Sequence, residues 1–208
     1  RDALALICGM AGSQQGWKEA PYASCPAGLA EIASKLAWIE PKRIAIVLSN
    51  PTVSTTTGWP VGFWWSELSH PYLAFTEQGY EVEIFSPDGG RCEADAMSDP
   101  RDSSGYSSTD LISMGFIATP ALAALLKETK SVQDLDVAKF DAIVVVGGQA
   151  PMFTFEKVPA LQRKFVEFYE KGKVAAALCH GTAVLRYARL SDGTPLVNHP
   201  TANTGPPD

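Results

Sequence analysis

The sequence predicts an α/β protein with a mostly parallel sheet, and three observations lead there. Stretches 43–49, 141–146 and 174–178 are apolar runs rich in Ile, Val and Ala. Strands of that kind are buried on both faces, as they are in parallel sheets. Between them lie helix-forming segments, and parallel strands need such crossovers to cover both faces. Two of the runs end in short segments that stand out, Gly147-Gly148 and Cys179-His180-Gly181. The expected fold is therefore a flavodoxin-like three-layer α/β/α sandwich. Ligands of open α/β sheets bind beyond the carboxyl ends of the strands, which singles out those two places.

The elements follow in order. Residues 1–41 form a segment of different character, read as an N-terminal extension. Within it, Leu29, Ile32, Ala33 and Leu36 recur at helical spacing behind Pro26, and Pro41 closes the stretch. Residues 43–49 are a buried strand. Residues 61–78 are a helix candidate in which Pro71 should cause a kink or a break, and Gly79 ends it. Residues 80–86 form a strand and 87–90 a turn. The Ser- and Asp-rich stretch 93–110 reads as a surface loop. Thr119 is placed to cap a helix over 120–130. Residues 141–146 are a strand. The helix 159–171 sets Leu161, Phe165, Phe168 and Tyr169 on one side. Strand 174–178 leads into a helix over 182–188.

Composition excludes several functions. The chain has 208 residues, 46% of them hydrophobic, enough to bury a core. Acids outnumber bases 23 to 17 for a net charge of −6, so no nucleic-acid partner is expected. No apolar run approaches the ~18 residues of a membrane span, so no membrane role is expected. Cys8, Cys25, Cys92 and Cys179 form no C-x-x-C pair, which argues against a zinc site and for reduced thiols in a cytoplasmic protein. No leader peptide is read at the start. Neither a phosphate loop nor a G-x-S-x-G occurs, so nucleotide binding and serine hydrolysis lack a motif.

The candidate chemistry centres on Cys179. A residue on a sharp strand-to-helix turn stands above the sheet edge, which is the geometry of a nucleophile elbow. The helix start behind it favours a thiolate, and Gly181 gives the turn room. His180 follows as a general base or as a cation beside the thiolate. Glu67 lies in G-F-W-W-S-E-L-S-H-P-Y. It can donate a hydrogen bond to a thiolate when protonated, or act as a base when ionised. Gly147 and Gly148 can offer backbone N–H groups to an oxyanion. His70 is a candidate for lining the same pocket. Trp59, Phe63, Trp64 and Trp65 read as core packing.

These residues resemble a known family. T-G-W-P-V-G-F-W-W-S-E-L-S-H-P-Y, E-V-E-I-F-S-P-D-G-G, A-I-V-V-V-G-G-Q and A-A-A-L-C-H-G occur in this order. Residues 42–197 so resemble the DJ-1/PfpI superfamily, within the class I glutamine-amidotransferase-like fold. The nearest branch is the Hsp31-like one, which includes glutathione-independent glyoxalases. The resemblance implies Cys179 as nucleophile, Glu67 as the acid on its sulfur, and Gly148 with the His180 amide as oxyanion hole. It implies a small aldehyde or carbonyl substrate such as methylglyoxal, with no metal and no organic cofactor; a sheet left incomplete would expose an edge and favour a homodimer. Three departures stand out. Gln149 replaces the His that this branch places after the Gly pair. Thr154 lies near where an Asp is common. The family's third catalytic acid falls downstream of Asp208, so the domain over 42–208 is read as C-terminally incomplete, and His180 is left open to the wrong tautomer.

Residues 4–40, with I-C-G-M-A-G-S-Q-Q-G-W-K-E-A-P-Y and C-P-A-G-L-A, resemble part of the 2-dehydro-3-deoxygalactonokinase family. Two readings therefore stand beside the enzyme. One is a non-enzymatic, chaperone-like stress protein. The other is an inactive fusion carrying a kinase fragment.

Overall fold

Strand β1 (Arg43–Val47) is the middle of a five-stranded sheet. It pairs in parallel with β4 (Glu81–Ser86) on one side and with β6 (Ala142–Val145) on the other. Beyond β4 lies the two-residue β5 (Lys130–Ser131), and beyond β6 lies β7 (Val174–Ala177), both parallel to their neighbours. The order β5-β4-β1-β6-β7 reverses direction between β1 and β6, and such a switch point opens a crevice at the strand ends. The structure is a computed structural model that describes residues 42–198. The expected helix over 27–38, Cys8, Cys25, Pro26, Pro41 and the polar tail from Thr201 lie outside the described residues.

Side chains alternate between two cores, as a pleated strand requires. Ile44, Ile46, Leu48, Ile84, Val144 and Val146 point to one face. There they meet Trp65, Leu68 and Phe75 of α1 (Trp65–Glu77) and Phe116 of α2 (Leu111–Ala118). Ala45, Val47, Phe85, Ile143 and Val145 point to the other face. They meet Leu161, Phe165 and Phe168 of α5 (Pro159–Glu170) and Val184 of α6 (Ala183–Tyr187). The helix expected over 159–171 is thus present, with its apolar side seated as its periodicity requires. Burying each large side chain of this kind stabilises the fold by about 1.5–3 kcal/mol.

Several sequence expectations are corrected. The helix expected over 61–78 starts at Trp65; Val61 belongs instead to the hairpin of β2 (Thr52–Val53) and β3 (Pro60–Val61). Pro71 lies inside α1 and does not break it. Its missing N–H costs one helical bond, while Leu68 and Phe75 anchor the turns on either side of it. Thr119 precedes α3 (Pro120–Ala124), but its hydroxyl donates back to the Gly115 carbonyl at 2.8 Å instead of capping. That helix ends at Ala124, so Lys130 joins the sheet. Helix α2 went unread. It starts at Asp110, whose carboxylate accepts the Ser113 amide at 3.1 Å. The stretch 93–110 is not all surface, because Asp95 and Ser98 are buried. No helix among the described residues is long and apolar enough to cross a membrane.

Candidate active site

The chain leaves β7 at Ala177 and turns at once. Leu178 N–H still bonds to the Val145 carbonyl at 2.9 Å, and Gly181 N–H returns to the Leu178 carbonyl at 2.7 Å. This closes a 3₁₀ turn over Cys179–Thr182 that runs into α6. Cys179 sits in it at φ +47°, alone among the described non-glycine residues in having a positive φ. Such a backbone costs about 1–3 kcal/mol and persists where the surroundings hold it. Gly181 is one part of that hold, since a Cβ there would lie 2.6 Å from the Val145 carbonyl oxygen.

Three groups act on the Cys179 thiol: the Glu67 carboxyl and the backbone N–H groups of His180 and Gly148. Glu67 arrives from the first turn of α1, next to the buried Trp65 and Leu68 that seat the helix. Its Oε2 accepts the Gly147 amide at 2.8 Å. A Cβ on Gly147 would collide with that oxygen at 2.7 Å and with the His180 nitrogen at 2.8 Å. Gly148 has φ +97°, and a Cβ on it would lie 2.5 Å from the Gly62 oxygen. Both positions accept only glycine, so the pair is more than a turn after a strand.

The thiol does not behave as its position at a helix start suggests. Burial pushes the Cys179 pKa up, and the Glu67 hydrogen bond and charge push it further; the two backbone N–H groups pull against them without winning. The turn behind it is a short 3₁₀ segment. A short turn offers little macrodipole to oppose a carboxyl group at the sulfur. Cys179 is exposed, whereas Cys92 is buried and its thiol is likewise raised by burial.

The His180 ring is anchored through one of its nitrogens. Its Nδ1 bonds the Gly148 carbonyl at 3.0 Å. A carbonyl only accepts, so Nδ1 carries a proton, and in the neutral form of the ring the lone pair lies on Nε2. Gln149 is exposed, and its backbone N–H donates to Asp95 Oδ2 at 2.7 Å. Asp95 Oδ1 accepts the Gly62 amide at 2.9 Å. Sequence reasoning missed this buried acid. A lone Asp in a Ser- and Asp-rich stretch gives no signal, because its partners are backbone amides distant in sequence.

The fold therefore brings Cys179, Glu67, Gly147, Gly148, Gln149 and His180 together at the ends of β6 and β7. His70 is held elsewhere. Its Nε2 bonds Asp110 Oδ1 at 2.8 Å. With Ser66, Thr109 and Leu111 it lines a shallow depression that contains no other candidate residue. Of the aromatic group, Phe63 and Trp65 are core residues and Trp64 is half-buried, but Trp59 is 68% exposed.

Residues 61–204 match the family model of the DJ-1/PfpI family. The chain belongs to that family. Among curated relatives, a probable glutathione-independent glyoxalase of Schizosaccharomyces pombe is 27% identical over 158 residues, covering 66% of this chain and 60% of the relative. The chain thus spans about three fifths of that protein. The crystal structure of the Rapid Encystment Protein 24 KDa of Francisella tularensis superposes with a TM-score of 0.66 at 26% identity. That superposition covers 75% of this chain and 66% of the other. The N-terminal residues match a different family, 2-keto-3-deoxy-galactonokinase, over residues 1–56. A probable 2-dehydro-3-deoxygalactonokinase of Rhizobium meliloti is 67% identical over 30 residues, 14% of this chain and 10% of the relative.

Proposed function

We propose that this DJ-1/PfpI chain is a cysteine-dependent enzyme acting on small reactive carbonyls, converting a 2-oxoaldehyde such as methylglyoxal to a 2-hydroxy acid without glutathione. The observation that carries this reading is the convergence of the Glu67 carboxyl and the Gly148 and His180 amides on the Cys179 sulfur. The named glyoxalase relative supports the substrate class.

On this reading each proton transfer has a named group to carry it. Glu67 takes the thiol proton as sulfur attacks the aldehyde carbon, which gives a hemithioacetal. The oxygen that gains charge in that step lies against the Gly148 and His180 N–H groups; two such donors do the work of an oxyanion hole. His180 Nε2 removes the proton from the former aldehyde carbon and an enediol forms. Proton return to the neighbouring carbon leaves a thioester of the hydroxy acid. Water then cleaves the thioester and restores the thiol. The aldehyde carbon is oxidised and the adjacent carbonyl is reduced, so the step needs no outside oxidant or reductant.

The test is D-lactate formation from methylglyoxal in glutathione-free buffer, with Cys179→Ala beside the wild type. Turnover in the wild type and none in the variant is the expected result. Equal rates in the two proteins would sink the reading.

A further inference from the structure

The peptide group joining Gly148 to Gln149 is hydrogen-bonded at both ends. Its N–H donates to Asp95 Oδ2 at 2.7 Å, and its C=O accepts from His180 Nδ1 at 3.0 Å. The second Asp95 oxygen takes the Gly62 amide at 2.9 Å, and the residue is 2% exposed. Carboxylate, peptide and imidazole therefore form one chain of hydrogen bonds. We propose that Asp95 is a positioning residue for His180, holding the ring as the Nδ1–H tautomer through the Gly148–Gln149 peptide. The role of Nε2 as a base rests on the enzymatic reading above; the tautomer does not.

Two physical arguments support this. The first concerns orientation. Gly148 sits at φ +97°, and a glycine places little restriction on the peptide plane that follows it. The bond from Asp95 to the Gln149 N–H fixes that plane, which keeps the Gly148 carbonyl aimed at the His180 ring. The second concerns strength. A carboxylate on the N–H side polarises the amide and makes its oxygen a better acceptor, by about 10–30% per bond in a connected chain. Asp95 is itself held firmly. Its N–H donates to the Phe63 carbonyl at 2.7 Å, and its carbonyl accepts the Ser98 hydroxyl at 2.7 Å. That Ser98 oxygen in turn accepts the Trp65 amide at 3.1 Å, which ties the loop to the start of α1. Burial raises the Asp95 pKa, against the pull of the Gly62 and Gln149 amides and of the His180 ring when it is protonated. Gly148 thus touches both reactive side chains, its N–H at the Cys179 sulfur and its C=O at the His180 ring.

Nitrogen NMR of the full chain reads the tautomer directly. The three histidines are His70, His180 and His199, and a His180→Gln sample assigns the signal. The wild type should show a neutral ring protonated at Nδ1. Asp95→Asn places an amide NH₂ where two backbone donors need acceptors, and should shift the ring toward Nε2–H. Asp95→Glu keeps the charge and both oxygens and should restore Nδ1–H. Ser98→Ala loosens the same loop without touching the carboxylate and should shift the tautomer less than Asp95→Asn does. On methylglyoxal, Asp95→Asn should lower kcat by about 10- to 100-fold, with KM within about threefold.

An Nε2–H ring in the wild type overturns the inference without any variant. So does an unshifted ring in Asp95→Asn, or a ring in Ser98→Ala that moves as far. An unchanged kcat in Asp95→Asn overturns its bearing on catalysis. The tautomer is read whether or not methylglyoxal is consumed, so failure of the glyoxalase reading and failure of this inference are separate results.

Discussion

Glu67 Oε2 and the Gly147 amide meet at 2.8 Å across 80 residues of sequence, and this bond ties the first turn of α1 to the end of β6. It anchors the carboxyl group beside the Cys179 sulfur, where it also holds the thiol pKa up. Glu67→Gln keeps an oxygen for the Gly147 amide and removes the charge. Two opposite effects are expected. Iodoacetamide should alkylate Cys179 severalfold faster at neutral pH, because one cause of the raised pKa is gone. Carbonyl turnover should fall by about 10²-fold or more, because the proton acceptor is gone. Peptide mapping checks the first effect, with the buried Cys92 as an internal standard that stays unmodified on that timescale. Slower alkylation of the variant would contradict this account of the site.

Gly148 offers a test of shape. An added methyl would lie 2.5 Å from Gly62 O and 2.6 Å from Phe63 Cα, at a φ of +97°. Gly148→Ala should cost about 2–4 kcal/mol, combining backbone strain with overpacking against main chain that cannot yield. The fall in the urea midpoint measures it. A variant as stable as the wild type would mean that the wall from Gly62 to Phe63 moves easily.

Asp110 gives the stability its own pH dependence. Burial alone would raise its pKa, but the hydroxyl and amide of Ser113, together with His70, outweigh burial and hold it below the ordinary value. An acid depressed in the folded state stabilises the fold above its unfolded pKa, and that contribution is lost as pH falls through the folded one. Asp110→Ala should therefore be less stable than the wild type at pH 7 by about 1 kcal/mol, the usual worth of a helix cap. The gap should close on acidification below about pH 4. Urea midpoints across pH 2–7 check this. A gap that widens in acid would refute the assignment.

The central strands were legible in the sequence because burial on both faces leaves an uninterrupted apolar run, as in Ile143–Val146 and Ile44–Leu48. The edge strand Lys130–Ser131 was not, since two polar residues with one neighbouring strand carry no such pattern. Helix α2 was hidden by Gly115 and by apolar residues on all sides, although its cap at Asp110 stood in plain view. Of the site, Cys179, Glu67 and the glycine pair were found through contiguous motifs. Asp95 was not, because it acts on main-chain amides 33 and 54 residues away, and any residue type can supply a main-chain amide. The direction of the Cys179 pKa shift was missed for a related reason. A turn shows in the sequence, but a carboxyl group folded over the sulfur does not.

Strand β1 has a consequence for any attempt to cut or recombine this chain. Its five residues hold β4 on one side and β6 on the other. Yet they fall inside the segment matched to the kinase family and ahead of residue 61, where the DJ-1/PfpI match begins. A fragment started at that boundary would keep Cys179, Glu67 and both glycines while losing the seam of the sheet. It would retain β5 with β4 and β6 with β7 as two ribbons with no shared ladder, and a two-stranded ribbon is marginal alone in water. The border of the family-model match and the border of the folding unit thus fall in different places along this chain.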